Sequence, residues 1–249
     1  MVKSSLETLI KKYYLAGLND TAKWTVNLDA KTLIVESSTP NTLLITNLQL
    51  DNFTELVSCE FGINDTTKLL RMLNVLGEDI NITATIDNST VKNLILKDPS
   101  IEVQYVAADL KVKFYGYKQK LPDFAVEIVV DRDFIDTYIL SKSALNDVEH
   151  VTFTMNGDNK LSMVFGLVMS ENNKMLNTSK IKYLPKTLPG KDILAKPISY
   201  NATYLKEIFY ANKDCDSTTL RISDNSLCHV EFKKGDVTAK YYLAGIIGN

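Results

Sequence analysis

Apolar residues recur at helical spacing in four separate stretches of the chain, and the clearest stretch is residues 61–77, FGINDTTKLLRMLNVLG. Its apolar side chains share one helical face, at i, i+3, i+4 and i+7: Leu69, Met72, Leu73 and Leu76. Asn64 is expected to cap the start of this helix, Asp65 to lie in its first turn, and Gly77 to close its end. The opposite face carries Thr67, Arg71 and Asn74, with Lys68 beside it. The pattern predicts a helix with its back in a core and a basic front.

Three other stretches repeat this plan, at residues 6–18, 132–144 and 202–212. The first is expected to bury Leu6, Leu9, Ile10 and Tyr13. The second places Phe134, Tyr138 and Leu145 on one side, with Asp131 as the expected cap. The last groups Tyr204, Ile208 and Ala211 on one face and Thr203, Lys206, Tyr210 and Lys213 on another.

Short apolar or alternating runs, separated by turn residues, follow each predicted helix and indicate strands. In the first half they lie at residues 24–28, 32–35, 43–48, 60–63, 80–86, 91–96 and 101–106. In the second half they lie at 124–130, 151–155, 161–167, 180–184, 198–200, 218–222, 228–233 and 239–243, with a hairpin turn at 156–158. The pattern predicts an α+β protein of two similar, internally duplicated domains, at residues 1–109 and 123–249. Residues 110–122, rich in Lys and aromatics and ending at Pro122, are the predicted linker.

Charge is sorted by element, although the net charge is only -2. The four predicted helices, counted with Lys213 directly after the last of them, hold eight basic residues against five acidic ones, so the rest of the chain is acidic. The basic residues are Lys11, Lys12, Lys68, Arg71, Arg132, Lys142, Lys206 and Lys213. Such sorting suits helices that meet a polyphosphate, but solvated helix fronts are also often rich in lysine, and both interpretations stay open.

The residue patterns of catalysis, cofactor binding and metal binding are missing from the sequence. His150 and His229 have no Cys, Asp or His at metal-ligand spacing, and the chain contains no GxxxxGK[ST], GxGxxG or GxSxG motif. Its three cysteines show no CxxC spacing, which favours free thiols in a reducing compartment. No signal-peptide pattern or membrane-length apolar run occurs, so we expect an intracellular protein with no membrane partner, no cofactor and no metal.

The C-terminal strand, KYYLAGII at residues 240–247, closely resembles the last strand of sliding DNA clamps of the proliferating cell nuclear antigen type. Other matching pieces occur in the same order as in that family: LIKK at 9–12, Trp24, Ser37-Ser38, GIN at 62–64 with KLL at 68–70, GEDI at 77–80, Asp87-Asn88, Leu121-Pro122 and VEF at 230–232. Gly245 stands where the family usually has a proline, and the loop 36–41 lacks its usual apolar residues. The Asn-, Thr- and Lys-rich composition favours a viral or bacteriophage clamp.

The resemblance implies a DNA polymerase processivity factor that encircles duplex DNA without reading its sequence and is not an enzyme. It implies basic helices on the inner face of a ring, antiparallel sheets outside, and a DNA polymerase and a clamp loader as partners. It also implies a groove for a short hydrophobic partner peptide, formed by Leu43, Leu121, Pro122, Leu227, Tyr242, Leu243, Ala244 and Gly245. Tyr242 and Leu243 would present apolar surface to that peptide.

Helix geometry predicts the number of chains in such a ring. At a spacing of about 10 Å, the eight helices of two chains leave a hole of about 15 Å, and the twelve helices of three chains leave about 28 Å. Because only the larger hole admits a duplex with a layer of water, the prediction is a homotrimer. A structural oligomer, such as a virion component, and a small-molecule enzyme are the competing interpretations. A structural oligomer would explain the duplicated strands but would not require the charge to be sorted between elements. An enzyme would need a catalytic group, and none is found in the sequence.

Overall fold

The structure, a computed structural model, describes residues 1–110, 121–155, 161–165, 179–183 and 197–246. The chain divides into two compact units, Met1–Tyr117 with Gly235–Ala239, and Lys118–Lys234 with Lys240–Asn249. Most of the predicted linker, the hairpin turn predicted at 156–158 and the irregular stretch before Pro197 lie outside the described residues.

The first unit contains two helices, α1 (Lys3–Tyr14) and α2 (Thr66–Asn74), and a short 3-10 turn, Leu15–Gly17. Its strands are β1 (Ala22–Asn27), β2 (Thr32–Ser38), β3 (Leu44–Asp51), β4 (Cys59–Ile63), β5 (Asn81–Asp87), β6 (Thr90–Lys97) and β7 (Glu102–Val106). They form one antiparallel run in the order β4-β1-β2-β3 and a second sheet in the order β5-β6-β7.

The second unit contains α3 (Arg132–Ala144) and α4 (Ala202–Ala211). Its strands are β8 (Phe124–Val130), β9 (His150–Met155), β10 (Leu161–Phe165), β11 (Ser179–Tyr183), β12 (Ile198–Asn201), β13 (Ser217–Ser223), β14 (Cys228–Lys234) and β15 (Val237–Leu243), of which the first three residues of β15 fall in the first unit. One antiparallel run has the order β15-β14-β13-β8 and the other sheet has the order β11-β10-β9-β12. The predicted α+β fold with two duplicated halves is therefore confirmed.

Each repeat is a strand, a helix and three strands, and its leading strand pairs with the other repeat of the same unit. β4 pairs with β1, β8 with β13, and β12 with β9. In the first repeat, Val2 alone replaces the leading strand and bridges to Asp79. Because every repeat completes its neighbour's sheet, the two repeats of a unit form a single core.

Side-chain alternation explains the strands, since successive residues of a strand point to opposite faces of its sheet. In β1, the inward positions Ala22, Trp24 and Val26 are buried, while Lys23 and Thr25 are partly exposed. Trp24 packs in the core between Tyr13 of α1 and Phe61 of β4. In the second unit the corresponding core is an aromatic cluster of Phe134, Tyr138, Phe165, Phe209, Phe232 and Tyr241.

The helices bury the predicted faces with two corrections. In α1 the four expected residues are buried, and in α2 Met72 is half-buried whereas its three leucine partners are buried. In α4 the predicted face is displaced: the buried residues are Ala202, Leu205, Ile208 and Phe209. No helix among the described residues is long and apolar enough to cross a membrane.

Candidate nucleic-acid interface and partner groove

The first helix pair, α1 and α2, is joined where α1 ends and α2 begins. The hydroxyls of Tyr14 and Thr67 lie 2.8 Å apart, and the buried Tyr13 hydroxyl lies 3.3 Å from Thr66 Oγ1. Burial raises the pKa of Tyr13 above its ordinary value, so this phenol stays neutral, and its oxygen accepts from the Thr66 hydroxyl. These bonds fix the two helices relative to each other and therefore fix the exposed face that they share.

The start of α2 differs from the sequence prediction. Asp65, not Asn64, is the cap, and its carboxylate accepts from the Lys68 amide at 2.6 Å. Asn64 Oδ1 instead accepts from the Tyr105 hydroxyl at 2.8 Å. The helix ends at Asn74 with Val75 as its C-cap, so Gly77 lies beyond the helix end, and the Gly77 amide donates to Asp98.

Three cations lie exposed on the first helix pair: Lys11, Lys68 and Arg71. Lys11 is 3.5 Å from Glu7 of the preceding turn, an exposed pair that contributes little to stability. Among the described residues, Lys68 and Arg71 take part in no ion pair. We name Lys11, Lys68 and Arg71 the cationic helix face.

Two of the predicted DNA-contacting lysines are buried, which corrects the prediction for them. Lys12 is 2% exposed and Lys142 is 4% exposed. The Lys142 ammonium donates to the carbonyls of Leu145 and Asn146, at 3.2 and 3.0 Å, and so caps the end of α3. Burial lowers the pKa of Lys142, and the nearby Lys206 lowers it further.

The remaining predicted contacts in the second unit have local partners. Arg132 lies 3.7 Å from Asp136, and Lys206 lies 3.3 Å from Glu207. Lys213 is exposed, with its ammonium 4.8 Å from the centre of the Tyr210 ring. The second helix pair, α3 and α4, therefore presents paired charges, and Lys213, which follows α4, lies over an aromatic ring.

The predicted groove residues of the second unit fall into three groups. Leu227, Ala244 and Gly245 lie together, because a Cβ on Gly245 would be 2.6 Å from both the carbonyl oxygen and the Cβ of Ser226. This close approach explains why glycine stands at 245, since any side chain there, including the proline of the clamp family, would collide with the turn before β14. Ser223 stabilises that turn, because its hydroxyl accepts a hydrogen bond from the Leu227 amide at 3.0 Å.

Neither Tyr242 nor Leu243 offers much apolar surface, which corrects the prediction for both: they are 7% and 1% exposed, although as neighbouring residues of a strand they point to opposite faces. Leu243 is 1% exposed and packs in the core, which corrects its predicted place in the groove. Tyr242 lies on the outer face of the sheet, where its ring stacks on His229 with centres 4.9 Å apart. On the other side of His229 lies Phe124, at 5.4 Å.

Neither His229 nor Phe124 was among the predicted site residues. Side-chain alternation along β14 places His229 on the outward side of the sheet, opposite Arg221 of β13. A histidine without stacking partners would be exposed to solvent at such a position. Instead His229 is 3% exposed, its Nδ1 is 3.4 Å from Arg221, and its Nε2 has no partner among the described residues. Burial and then Arg221 lower the pKa of His229 to about 4.

The other predicted groove residues lie at the surface. Leu121 is 39% exposed and Pro122 is half-buried, next to the start of β8. Leu43 belongs to the first unit and is 38% exposed. Tyr242 is 7% exposed and His229 is 3% exposed, so the stacked rings are buried, and the exposed apolar side chains among the predicted groove residues are those of Leu43 and Leu121.

Ligands for a metal are not grouped in the part of the chain that the structure describes: no three His, Cys, Asp or Glu side chains come together there. All three cysteines are free, as predicted.

Two units, each of two strand–helix–three-strand repeats with paired helices, define the DNA-clamp class of folds, and comparison with solved structures agrees. PCNA of A. fulgidus, solved with the C-terminal region of FEN-1 bound, matches with a TM-score of 0.75 and 14% identity, over 100% of this chain and 98% of that chain. Proliferating cellular nuclear antigen of Entamoeba histolytica matches with a TM-score of 0.69 and 12% identity, over 99% and 97%. No protein-family model and no curated protein sequence matches the chain. The chain therefore has the sliding-clamp fold, which confirms the predicted resemblance.

Proposed function

We propose that this chain is a DNA polymerase processivity factor, a sliding clamp that encircles duplex DNA and tethers a polymerase and other replication proteins. The observation that carries the proposal is the match of the whole chain to the clamp fold. The cationic helix face adds support, because its three cations are exposed and two of them, Lys68 and Arg71, take part in no ion pair among the described residues, which suits a phosphate backbone. In this proposal the protein acts as a scaffold and not as an enzyme. It acts inside a cell, as a component of a virus or bacteriophage replication system.

The assembly that fits this role is a cyclic homotrimer, for which ring geometry gives a hole of about 28 Å. Two edge strands support head-to-tail closure: β7 and β11 each end the order of their sheet. Val106 of β7 is 67% exposed, an apolar side chain on such an edge. A heterologous contact between unlike edges closes a ring when the rotation between copies is threefold.

The trimer is checked by light scattering at micromolar concentration. We expect a mass three times that of the 27.9 kDa chain. A stable dimer that still slides on DNA would overturn the helix count on which the trimer depends.

The partner is proposed to be a short hydrophobic peptide segment of the polymerase or of another replication protein. In the A. fulgidus PCNA structure the bound partner is the C-terminal region of FEN-1. In this chain, Leu121, Leu227 and Ala244 would contact such a peptide. Tyr242 would support this surface from beneath, because its ring is buried and stacks on His229. A few apolar anchors carry most of the energy in an interface of this kind.

Primer extension tests the function, with the DNA polymerase encoded by the same genome and with a clamp loader added. We expect longer products per binding event when the chain is present, and no such gain for a variant with Leu121→Ala. Equal product length with and without the wild-type chain would contradict the proposal.

A further inference from the structure

The two helix pairs differ at equivalent positions, counted from the residue that caps each helix. The ninth residue is Lys11 in α1 and Leu140 in α3. The third residue is Lys68 in α2 and Tyr204 in α4, and the sixth is Arg71 in α2 and Glu207 in α4. Each cation of the cationic helix face is thus replaced in the second pair by a neutral or acidic residue.

The net charge of the two helix pairs differs in the same direction. α1 and α2 together contain five cations and one carboxylate, whereas α3 and α4 contain three cations and three carboxylates. Two of the cations in the second pair lie within 4 Å of a carboxylate, and the third, Lys142, is buried. Leu140 is 70% exposed, so an apolar side chain occupies the position at which α1 presents an ammonium.

We propose that the chain contacts DNA phosphates through the first helix pair alone, with the second pair passing the duplex without ionic contact. The inference rests on the proposed clamp function. Because α3 and α4 hold as many carboxylates as cations, they release few counterions from DNA, whereas α1 and α2 keep an excess of four cations even though Lys11 lies 3.5 Å from Glu7. In a ring of identical chains, the phosphate contacts would then recur once per chain and not once per helix pair.

Amine footprinting tests the division residue by residue. The wild-type chain is mixed with a short random-sequence duplex at low ionic strength and labelled with an amine-reactive reagent, and the sites are quantified by mass spectrometry. We expect the reactivity of Lys11 and Lys68 to fall severalfold on DNA addition, while Lys206 and Lys213 change little. The buried Lys142 serves as an internal control, with low reactivity in both states.

Two matched triple variants give an independent measurement. Lys11→Gln, Lys68→Gln and Arg71→Gln together should flatten the slope of log K against log salt by about 2–3, because each lost phosphate contact removes about 0.9 from the slope. Arg132→Gln, Lys206→Gln and Lys213→Gln together should change it by less than about 1. All six side chains are exposed or partly exposed, so circular dichroism should show both variants folded.

The outcomes separate this inference from the function on which it rests. If wild-type protein neither binds the duplex nor shows protection at any lysine, the inference fails, whereas the proposed function is decided by retention on closed circular DNA after loader action. If it binds, but Lys206 and Lys213 are protected as strongly as Lys11 and Lys68, or both triple variants lose equal slope, the clamp function stands and the inference is overturned. Protection confined to Lys11 and Lys68 supports it.

Discussion

Neighbouring residues of β15 point to opposite faces of their sheet, and this separates the roles of Tyr242 and Leu243. Leu243 faces the core, whereas the Tyr242 ring lies on the outer face beneath His229. The sequence alone could place both in the terminal strand, but it could not assign them to one surface. Alternation of side chains along a strand makes a shared apolar surface impossible for this pair.

A matched pair of leucine variants tests this assignment. Leu243→Ala should lower the free energy of unfolding by about 2–5 kcal/mol, because it leaves a cavity in the core. Leu121→Ala should change it by no more than about 0.5 kcal/mol, since Leu121 is exposed, yet should weaken partner binding. Denaturant unfolding and binding of a polymerase-derived peptide measure the two effects. Equal stability of the two variants would contradict the core position of Leu243.

His229 makes the free energy of unfolding depend on pH in the acidic range. Its pKa is about 4 in the folded protein, below the ordinary value of 6.5, and Arg221, Glu231 and Lys240 are the charged groups around it. The unfolded chain therefore binds a proton at this site more readily. Stability from His229 is fully present above about pH 6.5 and is lost as the pH falls towards 4, by roughly 3 kcal/mol in all.

The variant His229→Phe should keep the stack on Phe124 and Tyr242 while removing the titrating group. We expect its free energy of unfolding to fall less than that of the wild type between pH 6.5 and pH 4, as measured by urea unfolding at each pH. Parallel pH profiles for the two proteins would show that His229 is not held neutral by burial.

At the scale of elements, the local sequence pattern was sufficient to predict helices and strands wherever one face of the element is buried against its own repeat. The bounds of β8 and α3 agree with the prediction, and the Asp131 cap is confirmed, with its carboxylate accepting from the Phe134 amide at 2.8 Å. The other strands match to within a few residues in the described part of the chain, because alternation and turn residues are local signals.

The errors arose where a distant residue decided the outcome. Asn64 and Asp65 are both good caps, and only the Tyr105 hydroxyl, distant in sequence, takes Asn64 away from the helix. Lys12 and Lys142 lie on predicted helix fronts, but neighbouring structure covers them. A helical pattern gives the angle of a side chain around its helix and does not show what packs over the helix end.

Asp98 joins α2 to the turn between β6 and β7, and this link can be tested. Its carboxylate accepts from the amides of Gly77, Ser100 and Ile101, at 2.5, 2.6 and 2.6 Å, and these bonds lower its pKa. Asp98→Asn removes one accepting oxygen and the charge. We therefore expect a lower melting temperature and faster amide exchange at these three residues.

The matched control is Asp79→Asn, since Asp79 is an exposed carboxylate in the same unit. The wild type should also lose the Asp98 contribution as the pH falls through the lowered pKa, because a carboxylate that accepts hydrogen bonds stabilises the fold only while it is ionised. Unchanged amide exchange at Gly77 in Asp98→Asn would show that the carboxylate does not hold the end of α2.

At the scale of the whole molecule, a net charge of -2 conceals opposite charge on different elements. The helices of the first unit are strongly cationic, those of the second are balanced, and the remainder of the chain is acidic. Composition alone would therefore argue against a nucleic-acid binder, whereas assignment of charge to elements supports one. The fold was predictable from the repeated pattern and a short C-terminal motif, but the difference between the two helix pairs needed the helix caps and the ion pairs.

Encirclement of DNA is the central claim, and retention on closed circular DNA tests it most directly. After loader action on a nicked circular plasmid, the chain should stay with the plasmid through gel filtration at a salt concentration that abolishes ionic binding. Cutting the plasmid once with a restriction enzyme should then release it, since a ring slides off a free end. Equal retention on circular and linear DNA, or loss from both, would contradict the account.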